Sequence, residues 1–413
     1  MGEFVTLLFL AWLLAIAALL FRNRTLLAQL WAEPVLRRPV LIIESDDWGA
    51  GPLTQTEALQ RLSVLLLKFS DKEGRHPVMT LGLVLATADS QAIKANGVTE
   101  YQRLGLDDEC YAELRQGIAD GVSQKVFSVQ LHGMEHFWPA ALMQSANSDT
   151  AVRQWLIAEG ISQTEHLPSH LQSRWLNAAV LPAAPLAAEQ IAAAVSEEVS
   201  AFRGLFGEAG IIVVPPTFVW NQQVEQAWAK NGVDVLVTPG QRYEGRDAEG
   251  RVTPSVAHIF NGQRSEDGLI YIVRNDYFEP AQGHRSEKAI EAMKNKTAAG
   301  RPTLLETHRF NFIGTGQKTI AAFRELEQML AQVCRDFPEA AFISTAELAN
   351  IYRHNDQEWL DYAVIARVRA FINRCSADYG LWRSFKLTGL AMLLTLASMI
   401  LPARQQSVGG GDK

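Results

Sequence analysis

Eight short apolar runs recur along the chain: Val40 to Glu44, Met79 to Leu85, Val126 to Leu131, Ile211 to Val214, Val233 to Val237, Leu269 to Val273, Thr303 to Glu306 and Ala341 to Ile343. Stretches with apolar residues at helical spacing lie between them, among them Ile191 to Phe206 and Ile320 to Val333. Near-continuous apolar strands alternating with helices are the mark of a parallel sheet buried on both faces. The pattern therefore predicts an α/β fold, a distorted (β/α)7-8 barrel over residues 39–350. Ser344-Thr345-Ala346-Glu347 has the spacing of a capping box and predicts a helix start. Residues 137–185 break the rhythm, being rich in Ala, Leu, Pro and Trp with no clear strand. That segment leaves the end of a strand, where barrel loops make specificity, and is expected to be a lid or substrate-binding insertion, or else a helical decoration.

The two ends differ from the middle. Val5 to Phe21 is an uncharged run close to the length a spanning helix needs, which predicts a transmembrane anchor over residues 1–24. Glu3, with no Lys or Arg before the run, weighs against a cleaved signal peptide. A second uncharged run, Leu387 to Leu401, predicts a C-terminal transmembrane helix over 386–403, after an amphipathic helical segment at 356–380 and before a disordered tail at 404–413. The barrel is thus expected to be flanked by two spans of an integral membrane protein. Arg22, Arg24, Arg37 and Arg38 follow the first span, and Arg374, Arg383 and Lys386 precede the second. Positive charge on the inner side leans the domain to the cytoplasm.

Composition narrows the partners. The chain has 413 residues, 48% hydrophobic and 20% charged, with a net charge of −7. No basic stripe is present to grip phosphates, so no nucleic-acid partner is expected. Cys110, Cys334 and Cys375 lack metal or redox spacing and read as free thiols.

The chemistry sits where three runs end. Val40 to Ile43 leads into Asp46 and Asp47, Val126 to Leu131 into His132-Gly133-Met134-Glu135-His136, and Thr303 to Glu306 into His308. Two His four apart with one carboxylate supply three ligands for a divalent metal and leave positions open for water and substrate. Adjacent carboxylates repel unless a cation stands by them, so Asp47 as ligand leaves Asp46 as base. His308 is the candidate acid. The same loop also spells His-x-x-Glu-His, the inverted zinc-protease motif with Glu135 as base, but that motif needs a helix and Gly133 interrupts this one. His166 and His170, with Pro168 between them, read as loop residues.

Asp46-Asp47, the His132 and His136 pair, His308 and the loop Pro215-Pro216-Thr217-Phe218 together resemble motifs of the polysaccharide deacetylase family. The resemblance runs from about Pro39 to Leu348. It implies a distorted (β/α) barrel with zinc, or cobalt or nickel, on Asp47, His132 and His136, with Asp46 as base and His308 as acid. Two departures stand out. Val214 occupies the place of the family's Arg that holds the base, which leaves Arg309 and Arg274 as candidates for that part. The Asp and Trp pair that orients the acid has no evident match, and Asp276 is the candidate to orient His308. A backbone N–H near Thr217 is expected to help an oxyanion, and Trp48 to meet substrate. The implied function is a membrane-anchored N-deacetylase acting on a carbohydrate or lipid-linked glycan. A hydrolase of a non-sugar amide, a zinc protease and a silent glycan-binding protein are the alternatives.

Overall fold

The structure is a computed structural model that describes residues 2–161, 163–207, 210–256 and 258–400. All eight apolar runs are strands of one parallel sheet: β1 (Val40–Gly49), β2 (Met79–Val84), β3 (Phe127–Leu131), β4 (Ile211–Val213), β5 (Val233–Thr238), β6 (Ile270–Val273), β8 (Thr303–His308) and β9 (Ala341–Phe342), joined by a short β7 (Asp276–Tyr277). The order is β6-β5-β4-β3-β2-β1-β8-β7, and β9 pairs with the first residues of β1. Helices join the strands and bury one stripe each, as their periodicity predicts. Ala188–Phe206 buries Ile191, Val195, Val199 and Phe202, and Gln317–Asp336 buries Leu326, Met329, Leu330 and Val333. The capping box forms, with Ser344 N–H donating to Glu347 and Glu347 N–H to Ser344 Oγ.

The sheet curls into an open, distorted barrel with a seam between β6 and β8. One edge of β6 pairs with β5, and residues 262–264 run antiparallel along the other, with Gly262 N–H on the Tyr271 carbonyl at 2.9 Å. The chain then crosses the seam through Arg274 and Asn275 and pairs with β8 as β7. A single run of chain therefore serves both edges of the sheet, and its break holds Arg274.

The segment 137–185 folds as two short helices, Pro139–Ala146 and Thr150–Leu156, followed by turns and a two-residue antiparallel pair. Phe137, Leu142, Val152, Leu156, Leu167 and Leu171 give it a small core of its own. Its later part comes back over the C-terminal ends of the strands.

Among the described residues one helix, Gly2–Arg22, is long and apolar enough to cross a membrane, and none of its residues is buried. Asn23 separates it from the helix Arg24–Ala32. The described part of the expected C-terminal span, residues 386–400, has a break in it. The helix Tyr379–Thr388 ends at Gly389, whose φ of 78° stops it in the left-handed conformation, and Leu390–Ile400 follows as a separate helix. That helix runs up to the last described residue. Residues 401–413, with the expected tail at 404–413, lie outside the described part.

Candidate active site

Successive side chains along a strand point to opposite faces, so a regular β1 would send Asp46 and Asp47 apart. The strand is not regular there. Its register with β2 passes from Ser45 opposite Leu81 to Trp48 opposite Leu83, which leaves an extra residue in β1, and Asp47 takes φ 70°. A bulge with a left-handed residue re-aims its side chain, and both carboxylates line one cavity of about 280 Å³. Gly82 of β2 makes this possible, because a Cβ there would stand 2.4 Å from Asp46 Oδ1.

The His pair is brought together by a turn. Gly133 takes φ 97° and no helix spans the motif. His132 Nδ1–H donates to the Val214 carbonyl at 2.8 Å, which fixes the tautomer and leaves Nε2 facing Asp47 Oδ1 at 3.5 Å. His136 Nε2 lies 3.4 Å from the same oxygen. The three ligand atoms all fall within 4.8 Å of one another and all three residues are buried. Asp47 Oδ1 has no hydrogen-bond partner. A buried orphan oxygen between two imidazole nitrogens fits a divalent cation, and a set of two N and one O suits zinc with positions left open. Burial lowers His136 to about 4, so it is neutral and able to ligate at neutral pH. Burial works against a charge on His132 too, but Asp46 and Asp47 outweigh it and raise its affinity for a proton, a sign that the carboxylates draw in positive charge.

Asp46 and His308 are register partners on adjacent strands. Arg274, from the seam, donates to both oxygens of Asp46 at 3.1 and 2.6 Å and to Glu44 at 2.8 Å. Burial pushes the Asp46 carboxyl up, yet the Arg274 guanidinium, with His132 and His308, holds it below the usual carboxylate range. Of the two arginines weighed from the sequence, Arg274 therefore meets Asp46. Arg309 instead meets Glu165 of the insertion at 2.8 and 3.0 Å.

His308 is oriented by Glu279, a residue the sequence reading did not single out. Nδ1–H donates to Glu279 Oε1 at 2.6 Å, and Asn311 Nδ2 holds the other carboxylate oxygen. Burial lowers His308, but the Glu279 bond and the charges of Asp47 and Asp46 lift it to about 10. The expectation that Asp276 would orient His308 is corrected: its carboxylate pairs with Lys296 at 3.0 Å. No pattern sets Glu279 apart from Asp276, since both are acids of the same short run after β6. Trp48 is also corrected as a substrate contact. Past the bulge its ring turns into the core, fully buried, with the indole N–H on Ser45 Oγ at 2.8 Å. Thr217 does line the cavity, in a left-handed conformation (φ 52°) that Phe218 shares (φ 55°).

Glu135 stands apart from the ligand triad. Arg103 and Arg174 hold its fully buried carboxylate at 2.8 and 2.6 Å, and Arg174 also meets Glu198, which accepts from Met134 N–H. This ion network supports the loop from behind. With no helix and no open side on Glu135, the protease arrangement is absent. Glu306 completes the cavity wall, its carboxyl pushed up by burial to about 6.

No family model and no curated protein matches the chain. Among solved structures it is similar to a family 4 carbohydrate esterase from Streptomyces lividans in complex with acetate (12% identity, 71% of this chain and 88% of that one, TM-score 0.30). It is similar also to a pseudoenzyme of the CE4 family from Bacillus anthracis (9%, 76% and 66%, 0.35) and to a 4-alpha-glucanotransferase from Thermococcus litoralis (9%, 76% and 40%, 0.39). At such identities the functional reading stands on the geometry of the site.

Proposed function

We propose that the chain is a metal-dependent hydrolase that removes an acyl group from an amino sugar of a glycan, held at a membrane by its first helix. The observation that supports this best is one cavity lined by a buried Asp47, His132 and His136 triad, an arginine-held carboxylate and a carboxylate-held imidazole. Asp47, His132 and His136 would hold the cation, which supplies Lewis acidity to an acyl carbonyl when bound. Asp46, kept ionised by Arg274, takes a proton from water as the water oxygen bonds to the acyl carbon. His308, kept protonated by Glu279 at Nδ1, gives its Nε2 proton to the amine nitrogen as the carbon–nitrogen bond breaks. The products are a free amine and a carboxylic acid. A backbone N–H near Thr217, a residue of the same cavity, steadies the developing oxyanion.

Two variants test the division of labour. Asp47→Ala is expected to lose bound metal and all turnover of N-acetylated sugars. Asp46→Asn is expected to keep metal at the wild-type level and to lose about 10²- to 10⁴-fold in kcat. A wild type that stays free of metal after incubation with zinc, cobalt or nickel would overturn the reading and favour the silent glycan-binding alternative.

A further inference from the structure

Five arginines are buried among the described residues: Arg174, Arg246, Arg274, Arg309 and Arg374. Four have carboxylate partners. Arg174 meets Glu135 and Glu198, Arg274 meets Asp46 and Glu44, Arg309 meets Glu165, and Arg374 has Glu33 at 3.5 Å. Arg246 is the exception, with no carboxylate among the described residues in ion-pairing distance. It closes the first strand of a hairpin after β5, Arg242–Arg246 paired with Val252–Val256, and stands behind the cavity wall formed by Thr217. Its donors go to neutral acceptors: Nε to Ser173 Oγ at 2.9 Å, Nη1 to the Gly250 carbonyl at 2.8 Å and Nη2 to Thr217 Oγ1 at 3.2 Å. Taking a guanidinium out of water without a counter-charge is unfavourable, and burial alone weakens its hold on the proton.

The hydroxyls sharpen the point. Ser173 and Thr217 both accept from Arg246 and lie 3.1 Å from each other. Each hydroxyl carries a single proton, and only one of the two can lie between them. The other is a donor with no acceptor in this set. Thr217 is itself a cavity wall, and Gln172, next to Ser173, is another. Thr217 holds its place at φ 52°, a conformation that costs a non-glycine residue and persists only where the surroundings require it. A positive charge directly behind the Thr217 wall of the catalytic cavity and a spare hydroxyl proton thus lack a negative partner.

We propose that Arg246, with the hydroxyls of Ser173 and Thr217, forms an anion-recognising subsite of this cavity, so that the glycan taken carries a phosphate or carboxylate close to the amide that is cut. This rests on the hydrolase reading for the amide, but not for the anion. Phosphate and carboxylate share the chemistry that the subsite reads, namely acceptor oxygens with a full negative charge. The neutral sugar without such a group would leave Arg246 uncompensated.

The test is calorimetric titration of the full chain with inorganic phosphate, with glucuronate and with glucose as the neutral control. Wild type, Asp47→Ala, Arg246→Gln and Thr217→Val are compared after circular dichroism has shown each to be folded. Wild type and Asp47→Ala are expected to bind one of the two anions alike, Arg246→Gln at least tenfold more weakly, Thr217→Val in between, and none of them glucose. Tighter phosphate than glucuronate assigns a phosphorylated glycan, and the reverse assigns a uronate. Anion binding that vanishes in Asp47→Ala but survives Arg246→Gln would place the anion on the metal ligands and overturn the proposal, as would no binding by wild type. Should Arg246→Gln fail to fold, Thr217→Val carries the test, and unchanged binding there overturns the subsite. Absence of any deacetylation alongside the expected binding pattern would count against the hydrolase reading and leave the anion subsite standing.

Discussion

At Gly82 the residue on β2 has no side chain because Asp46 fills the space that one would need, with a Cβ position only 2.4 Å from Oδ1. Gly82→Ala therefore pushes the carboxylate off the Arg274 fork without touching a metal ligand. The expected outcome is metal content at the wild-type level with kcat down by at least tenfold, since misplacing a catalytic group by about 1 Å costs up to 10²-fold. Activity equal to wild type in Gly82→Ala would show that Asp46 is not the base. At this scale the sequence was legible where chemistry has a spacing and silent where it depends on backbone angle. His132 and His136 announce themselves by their interval of four. The bulge that turns Asp47 inward does not, because a left-handed Asp has no sequence mark, and Trp48 was misread for the same reason: one extra residue in β1 reverses the face on which every later side chain lies.

Arg274 and Glu279 both come from the run that crosses the seam, so one element sets the charge of the base and of the acid. Neither role is visible as a pattern. Arg274 was one of two candidates until the crossing brought it to Asp46, and Asp276, which shares β7 with no cavity contact, was indistinguishable from Glu279 in the sequence. The strands were legible because each holds a run of buried apolar residues, such as Val40 to Ile43 in β1; β7, two residues long and polar at Asp276, was not. Glu279→Gln tests the element through pH. His308 stands at about 10, above the ordinary value of 6.5, chiefly against burial and through the Glu279 bond. The proton on His308 therefore contributes to stability fully below 6.5, and that contribution is lost as pH rises through 10. A general acid must be protonated, so kcat/KM is expected to fall on the alkaline side as His308 loses its proton. Gln offers no negative charge, and the alkaline limb should move down by at least one pH unit in Glu279→Gln. Any cation in the triad lowers both limbs, so the difference between the two proteins is the readout. Coincident limbs would assign the proton donor elsewhere.

For the molecule as a whole, the first helix is not a loose appendage. Arg24–Ala32 continues toward the barrel, and the buried Arg374 of the helix Val364–Ala377 gathers the carbonyls around its end: Leu30 at 3.0 Å, Glu33 at 2.7 Å, Pro34 at 2.7 Å and Ala299, before β8, at 2.8 Å. Leu30, Glu33 and Ala299 lie at helix ends, which leave carbonyls without partners, so one guanidinium ties the N-terminal helices, the C-terminal helices and the barrel together. Glu33 adds a bidentate bond from Arg301. The helix Gly2–Arg22 beyond this clamp has no buried residue; the Trp12 indole N–H donates to the Thr388 carbonyl and Leu19 packs on the C-terminal helices, but Leu7, Leu8, Phe9, Leu14 and Phe21 stand open to solvent, an arrangement that water does not favour and a lipid core does. Its 21 residues rise about 31 Å, the thickness of the hydrocarbon layer. The expected outcome is that the full chain stays with membranes through an alkaline carbonate wash, whereas a chain lacking residues 2–22 moves to the supernatant and still binds one metal per chain, because none of those residues approaches the cavity. A mature protein whose first residue lies beyond Phe21 would make the segment a signal instead. Full-length protein in the supernatant would remove the membrane from the proposal while leaving the catalytic site as it is.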